Sequence, residues 1–225
     1  MQRRSVVIAM IVITAAPLTA MAETNTDTNN ATALVHAAER GDTARVQQLL
    51  DAGAPVEQRD ARRRTALLAA TAGHHLATAR LLVLRGADVN AQDAQRDSAF
   101  LLAGASGYTD IVRLALSAGA DLRSTNRYGG TALIPACHHG HVETVRLLLT
   151  TPIDVDHVND LGWTALLEAV ILGDGGPAHA SIVQMLITHG ARVNLADRQG
   201  VTPLQHALQR RQDRVVALLK DGGAR

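Results

Sequence analysis

Residues 65–97 read TALLAATAGHHLATARLLVLRGADVNAQDAQRD, and the same pattern returns every 33 residues along most of the chain. Thr65-Ala66-Leu67 is matched by Thr-Ala-Leu at Thr32, Thr131 and Thr164, while Ser98-Ala99-Phe100 fills the remaining place at the same spacing. A sixth copy, Thr202-Pro203-Leu204, arrives 38 residues after the fifth, so the fifth unit carries a five-residue insertion. Self-similarity at a fixed period of this length signals a stack of small supersecondary units rather than one globular core.

Within each unit the residues dictate two short helices. The opening Thr or Ser is suited to cap a helix by accepting a backbone N–H, a contact worth about 1 kcal/mol. An apolar run such as Ala66-Leu67-Leu68-Ala69-Ala70 follows, and breaks come at Gly41, Gly107, Gly140 and Gly173. A second apolar pattern, Val46, Leu49, Leu50 or Val145, Leu148, Leu149, ends at Gly53-Ala54, Gly86-Ala87-Asp88, Gly119-Ala120-Asp121 or Gly190-Ala191. Glycine suits a helix C-terminus because the left-handed conformation there costs little without a Cβ. A polar stretch and a turn, as in Asp197-Arg198-Gln199-Gly200, close the unit. Asp88, Asp93, Asp121 and Asp197 recur at repeat positions, which points to turn structure.

The pattern resembles the ankyrin repeat across about residues 32–225, with Thr202-Pro203-Leu204, Gly140-His141 and Gly86-Ala87-Asp88-Val89-Asn90 matching the family's motifs. The resemblance implies an all-α repeat solenoid of six helix-turn-helix units, beginning near residues 32, 65, 98, 131, 164 and 202 and joined by β-hairpin fingers. It also implies a concave surface that binds other proteins. The sequence departs from the pattern in four places. Arg63 and Arg96 replace the turn glycine kept at Gly129, Gly162 and Gly200, and His74 replaces an inter-helix glycine. Thr150-Thr151-Pro152-Ile153 replaces a terminal Gly-Ala, and Asp174 to Ala178 (DGGPA) is inserted between the helices of the fifth unit. The stretch around that insertion resembles a bacterial exported ankyrin group. The insertion reads as a tolerated loop or as a contact loop for a partner.

Composition agrees with thin, closely stacked helices. Apolar residues make up 47% of the 225, yet aromatics make up only 2%, so Ala, Leu and Val must fill the interior. The chain carries 22 basic and 21 acidic residues; without Arg3 and Arg4 it has 20 against 21. That balance gives no electrostatic basis for nucleic-acid or membrane binding. Cys137 is the single cysteine, which excludes an internal disulfide.

Residues 1–22, MQRRSVVIAMIVITAAPLTAMA, have the form of a signal peptide: a basic start, an apolar stretch from Val6 to Ala16, and Ala20-Met21-Ala22 before Glu23. The expected mature chain is periplasmic or secreted, with no stable membrane insertion after cleavage. Its first residues, 23–31 (ETNTDTNNA), are polar and read as a flexible leader. Residues 32–225 form the repeat domain.

In ankyrin stacks, partners contact the finger tips and the solvent side of each first helix. The tips place Arg62, Arg63, Arg64, Gln95, Arg96, Arg127, Tyr128, Leu161, Trp163, Arg198 and Gln199 on that surface, and the first helices add Glu39, Arg40, Ser106, His138, His139, Ile171, Gln209 and Arg210. Arg, Tyr and Trp are the residue types enriched at binding hot spots. Tyr128 and Trp163 are two of only four aromatic residues, both at positions expected to face solvent. The reading is a protein-binding scaffold for one partner, supporting a stress or redox enzyme or inhibiting a toxic effector.

The alternative is metal or haem handling through Cys137-His138-His139-Gly140-His141. Gly140 breaks the helix there, Cys137 falls at a small buried position, and adjacent helical side chains point roughly 100° apart, which disfavours one ion on both His138 and His139. No cofactor is expected. No nucleophile has a base and an orienting group beside it, and Gly173, Gly175 and Gly176 lack the Lys-Ser/Thr of a phosphate-binding loop, so no catalytic residue is assigned.

Overall fold

A computed structural model describes residues 32–225, so the expected signal peptide (1–22) and leader (23–31) lie outside the described residues. Twelve helices occupy the described part: α1 (32–39), α2 (Thr43–Asp51), α3 (Ala66–Ala72), α4 (Leu76–Leu84), α5 (Ala99–Ser106), α6 (Thr109–Ser117), α7 (Leu133–His138), α8 (Val142–Leu149), α9 (Ala165–Ile171), α10 (Pro177–Thr188), α11 (Pro203–Gln209) and α12 (Asp213–Asp221). They pair within units as α3 with α4, α5 with α6, and so on. Odd-numbered helices pack on one another in one layer and even-numbered helices in a second. The result is an all-α repeat solenoid with one continuous apolar core running from Leu34 to Leu219.

Small side chains make this stacking possible. In α3 every residue from Ala66 to Thr71 is buried, sandwiched between neighbouring units. First helices of adjacent units approach closely at Gly104 in α5, where a Cβ would meet Ala132 Cβ at 2.9 Å. Phe100, the sole phenylalanine, is fully buried in the same helix. Replacing Gly104 by any larger residue forces the third and fourth units apart.

Thr65, Ser98, Thr164 and Thr202 each cap a first helix through the side-chain oxygen, as their residue types predict. Thr131 does not. Its hydroxyl is buried without a partner. The Ile134 amide, which that hydroxyl would accept, goes instead to the Thr131 carbonyl at 3.2 Å, and the next residue, Pro135, has no N–H. Helix α7 consequently starts one residue late, at Leu133.

The expected β-hairpin fingers take a simpler form. Among the described residues the only β-bridge is one isolated antiparallel bridge, Arg59 with Thr65. Each tip is instead a tight turn built on an Asp or Asn. Asp60, Asp93, Asn126, Asn159 and Asp197 each accept the amides two and four residues on, at 2.8–3.1 Å. The side chain thereby consumes amides that a strand ladder would need, and the flanks diverge into helices. Arg63 (φ 61°) and Arg96 (φ 62°) hold the left-handed conformation that Gly129, Gly162 and Gly200 adopt in sibling turns. That geometry costs an L-residue roughly 1 kcal/mol.

A cleft on the concave face of the middle units

Register decides which side chains reach the concave face. The turn tips and the ends of the first helices of units three to five enclose a cleft of about 450 Å³. Arg127 and Tyr128 come from one tip and Leu161 from the next, His138 and His139 from the end of α7, and Glu168 and Leu172 from α9 and its C-cap. Tyr128, Leu161 and Leu172 are 53%, 48% and 42% exposed, a cluster of large apolar groups left facing solvent. Five of the residues that register placed on the surface therefore converge: Arg127, Tyr128, Leu161, His138 and His139.

The others do not. Arg62, Arg63 and Arg64 belong to a distant turn; Arg62 and Arg63 are exposed, but Arg64 is partly buried and tied to Glu39 at 2.7 Å and Asp60 at 2.8 Å. Arg96 donates to Thr125 Oγ1 at 2.9 Å, and Arg198 lies over the Gly162 turn. Two expectations need correcting. Trp163 is half-buried rather than solvent-facing and is not among the residues lining the cleft. Ile171 is buried at the end of α9, and the next residue, Leu172, takes the exposed place because the helix stops there.

The histidine pair also departs from simple helical geometry. His138 is the last residue of α7 and His139 is its cap, and their rings stack with centroids 4.2 Å apart. His141 bonds the Ala105 carbonyl of the preceding unit, its ring tilted against that of His139 at 5.8 Å. Burial, with His139 and His179 nearby, holds His138 below the usual imidazole range. Cys137 is fully buried; burial and then the Glu168 charge push its thiol well up, so it is not a reactive thiolate. Among the described residues no three His, Cys, Asp or Glu side chains are grouped as metal ligands.

The residue that sequence reasoning missed is Glu168. It is 7% exposed, the one charge in an otherwise apolar helix, and it lines the cleft. Its Oε1 accepts from Asn159 Nδ2 at 2.8 Å, and its Oε2 lies 3.8 Å from His138 Nδ1. Asn159 can donate because its own carbonyl already holds the turn amides of Leu161 and Trp163. The sixth unit has the mirror arrangement, with Asp197 in the turn accepting from His206 at 2.7 Å. Burial pushes the Glu168 carboxyl up to about 7, against the opposing effect of the Asn159 bond. Asp97, at the far rim, is also raised by burial, and Arg127 opposes that at 3.3 Å. Arg127 in turn donates to Gln95 and lies over the Tyr128 ring at 4.8 Å.

A two-layer stack of paired helices with a concave, partly apolar groove defines a helical repeat scaffold. The chain belongs to the ankyrin-repeat family: the family described as "Ankyrin repeats (3 copies)" matches residues 11–93, 100–197 and 154–225. An ankyrin repeat domain from Acinetobacter baumannii, of known structure, is 49% identical with a TM-score of 0.83, covering 85% of this chain and 98% of its own. A second solved ankyrin repeat protein is 39% identical with a TM-score of 0.80, covering 84% of this chain and 96% of its own. The Escherichia coli ankyrin repeat protein YahD is 44% identical over 57 residues, which is 25% of this chain and 28% of that protein's length. Ankyrin repeats are protein-interaction domains, generally without catalytic activity. No helix among the described residues is long and apolar enough to cross a membrane.

Proposed function

We propose that this chain is an exported scaffold that grips one protein partner in the concave cleft of units three to five. The observation that carries the reading is the exposed cluster of Tyr128, Leu161 and Leu172 around a cleft floored by a buried carboxylate. Large apolar groups left in solvent beside a few convergent polar groups are what a binding surface requires. Export rests on the form of residues 1–22. The partner is either an enzyme that needs this scaffold for activity or an effector whose active site it covers, and an activity assay of the captured partner separates the two.

A photo-crosslinking residue at Leu161 tests the groove, with Leu84 as control because it is 78% exposed on the second-helix layer. In the full chain expressed in a bacterium, Leu161 is expected to trap one protein from the periplasmic fraction and Leu84 none. Tyr128→Ala with Leu172→Asp should abolish the trapping. Equal labelling from both positions would sink the groove assignment. Recovery of the chain at full length in the cytoplasm would sink export.

A further inference from the structure

Glu168 is over nine-tenths buried, and among the described residues only one of its oxygens accepts a hydrogen bond. Its Oε2 lies beyond hydrogen-bond distance of His138 Nδ1, its nearest partner of opposite potential charge. That oxygen opens to the cleft, where a bound cation can reach it, while the burial around the carboxyl penalises its charge until one does. The other charges of the cleft are already engaged: Asp97 and Arg127 pair with each other, and His139 stacks on His138. His179, from α10, bonds the His138 carbonyl, and His206, from α11, is held by Asp197. Glu168 is the charge of the cleft left without a cation.

We propose that the cleft seats a lysine side chain of the partner, its alkyl stem along Tyr128, Leu161 and Leu172 and its ammonium on Glu168 Oε2 and His138 Nδ1. The inference rests on the groove reading above and names the chemistry the groove selects. Lysine fits better than arginine. A guanidinium is a fork suited to both oxygens of a carboxylate, and Asn159 already holds Oε1. A compact ammonium needs one free oxygen and finds a second acceptor in His138 Nδ1 when that ring is neutral, the form that burial and its histidine neighbours favour.

The seat carries a pH signature. Near neutrality the empty carboxyl is about half protonated, because burial holds it near 7. A bound ammonium favours the anion, so the Glu168 proton leaves to solvent on binding. Affinity therefore rises with pH, by about tenfold between pH 6 and pH 8. Of the facing groups, Cys137 stays a thiol, and burial with the neighbouring histidines favours the neutral form of His138.

The test is an NMR titration of the full chain, labelled at its glutamate carboxyl carbons, with Nα-acetyl-lysine methylamide. The norleucine and arginine derivatives are titrated beside it. At saturation the lysine compound should lower the pH at which Glu168 titrates by about two pH units, the shift that a tenfold change in affinity requires. It should bind about tenfold more tightly at pH 8 than at pH 6, while the norleucine compound shows no such dependence. Glu168→Gln, confirmed folded by its melting curve, should erase the preference for lysine over norleucine; Tyr128→Ala should weaken both. Equal binding of lysine and norleucine, an unmoved Glu168 titration, or a preference for arginine each overturns the proposal. The two readings can fail separately. A partner still trapped from Leu161 in the Glu168→Gln chain removes the lysine seat but leaves the groove, whereas lysine binding with no trapped partner does the reverse.

Discussion

Glu168 occupies a register position held by Ala69, Leu102 and Pro135 in the three preceding units, so a charge stands where the stack tolerates apolar groups. Its carboxyl is raised from about 4.5 to about 7, which means the folded chain binds that proton more tightly than the unfolded chain. The stability linked to protonation is complete below about pH 4.5 and is lost as the pH climbs through 7. Glu168→Gln keeps an acceptor for Asn159 and never ionises. Relative to the parent it should melt at nearly the same temperature at pH 4. At pH 8 it should be more stable by on the order of 2–3 kcal/mol, several degrees in the melting curve. Melting curves of both chains at the two pH values check this. A difference that is the same at pH 4 and pH 8 would show that the carboxyl is not held up by burial. The unit register alone placed Tyr128, Leu161, His138 and His139 around the groove, because position within a repeat fixes direction. It did not reveal Glu168, because the bond that orients it joins Asn159 to a residue nine positions on, across a turn, and no helical periodicity encodes that separation.

At the scale of the single helix, Thr131 and Thr164 look alike in sequence and differ in work done. The Thr164 hydroxyl accepts the Leu167 amide at 3.2 Å, and the Thr131 hydroxyl accepts nothing. Thr→Val keeps shape and removes the hydroxyl, so it isolates the cap. Thr164→Val should cost about 1 kcal/mol, whereas Thr131→Val should be neutral or stabilising because it removes a buried oxygen without a partner. Chemical denaturation of the two variants measures this; equal losses would mean that the hydroxyls are equivalent. The helices themselves were legible because Thr, the apolar run and the terminal glycine are local signals that agree with one another. The strands expected at the fingers were not there, since an Asp or Asn at each tip captures the amides first, and sequence shows that residue without showing which acceptor wins. Trp163 illustrates the same limit: its amide and carbonyl both bind Asn159, and the turn that this closes leaves the ring half-buried.

Over the whole molecule, the fifth unit's insertion is absorbed without breaking the stack. His75 reaches back 36 residues to the Glu39 carbonyl, and His141 reaches back 36 to Ala105. His179 makes the same bond to the His138 carbonyl over 41 residues, the difference being the five inserted positions. The extra residues are taken up as a short loop and a longer helix, α10 having 12 residues where α4 and α6 have nine. Asp174 folds the loop onto itself by accepting from the Gly176 amide and the His179 ring, each at 2.8 Å. None of residues 174–178 contributes to the apolar core or to the lining of the concave cleft. Because each unit rests only on its neighbours, a change that preserves their register should stay local. Deleting 174–178 joins Gly173 directly to His179, restoring the Gly-His order of Gly140-His141. The shortened chain should unfold in one cooperative transition, with a stability within about 1 kcal/mol of the parent, since loop length enters only logarithmically. It should still trap the same protein from Leu161. A loss of cooperativity would mean that the loop, rather than the His179 bond, holds the fifth unit to the fourth. Trapping lost with the fold intact would instead make the insertion part of the partner's footprint, extending the interface from the concave cleft around the edge of the stack.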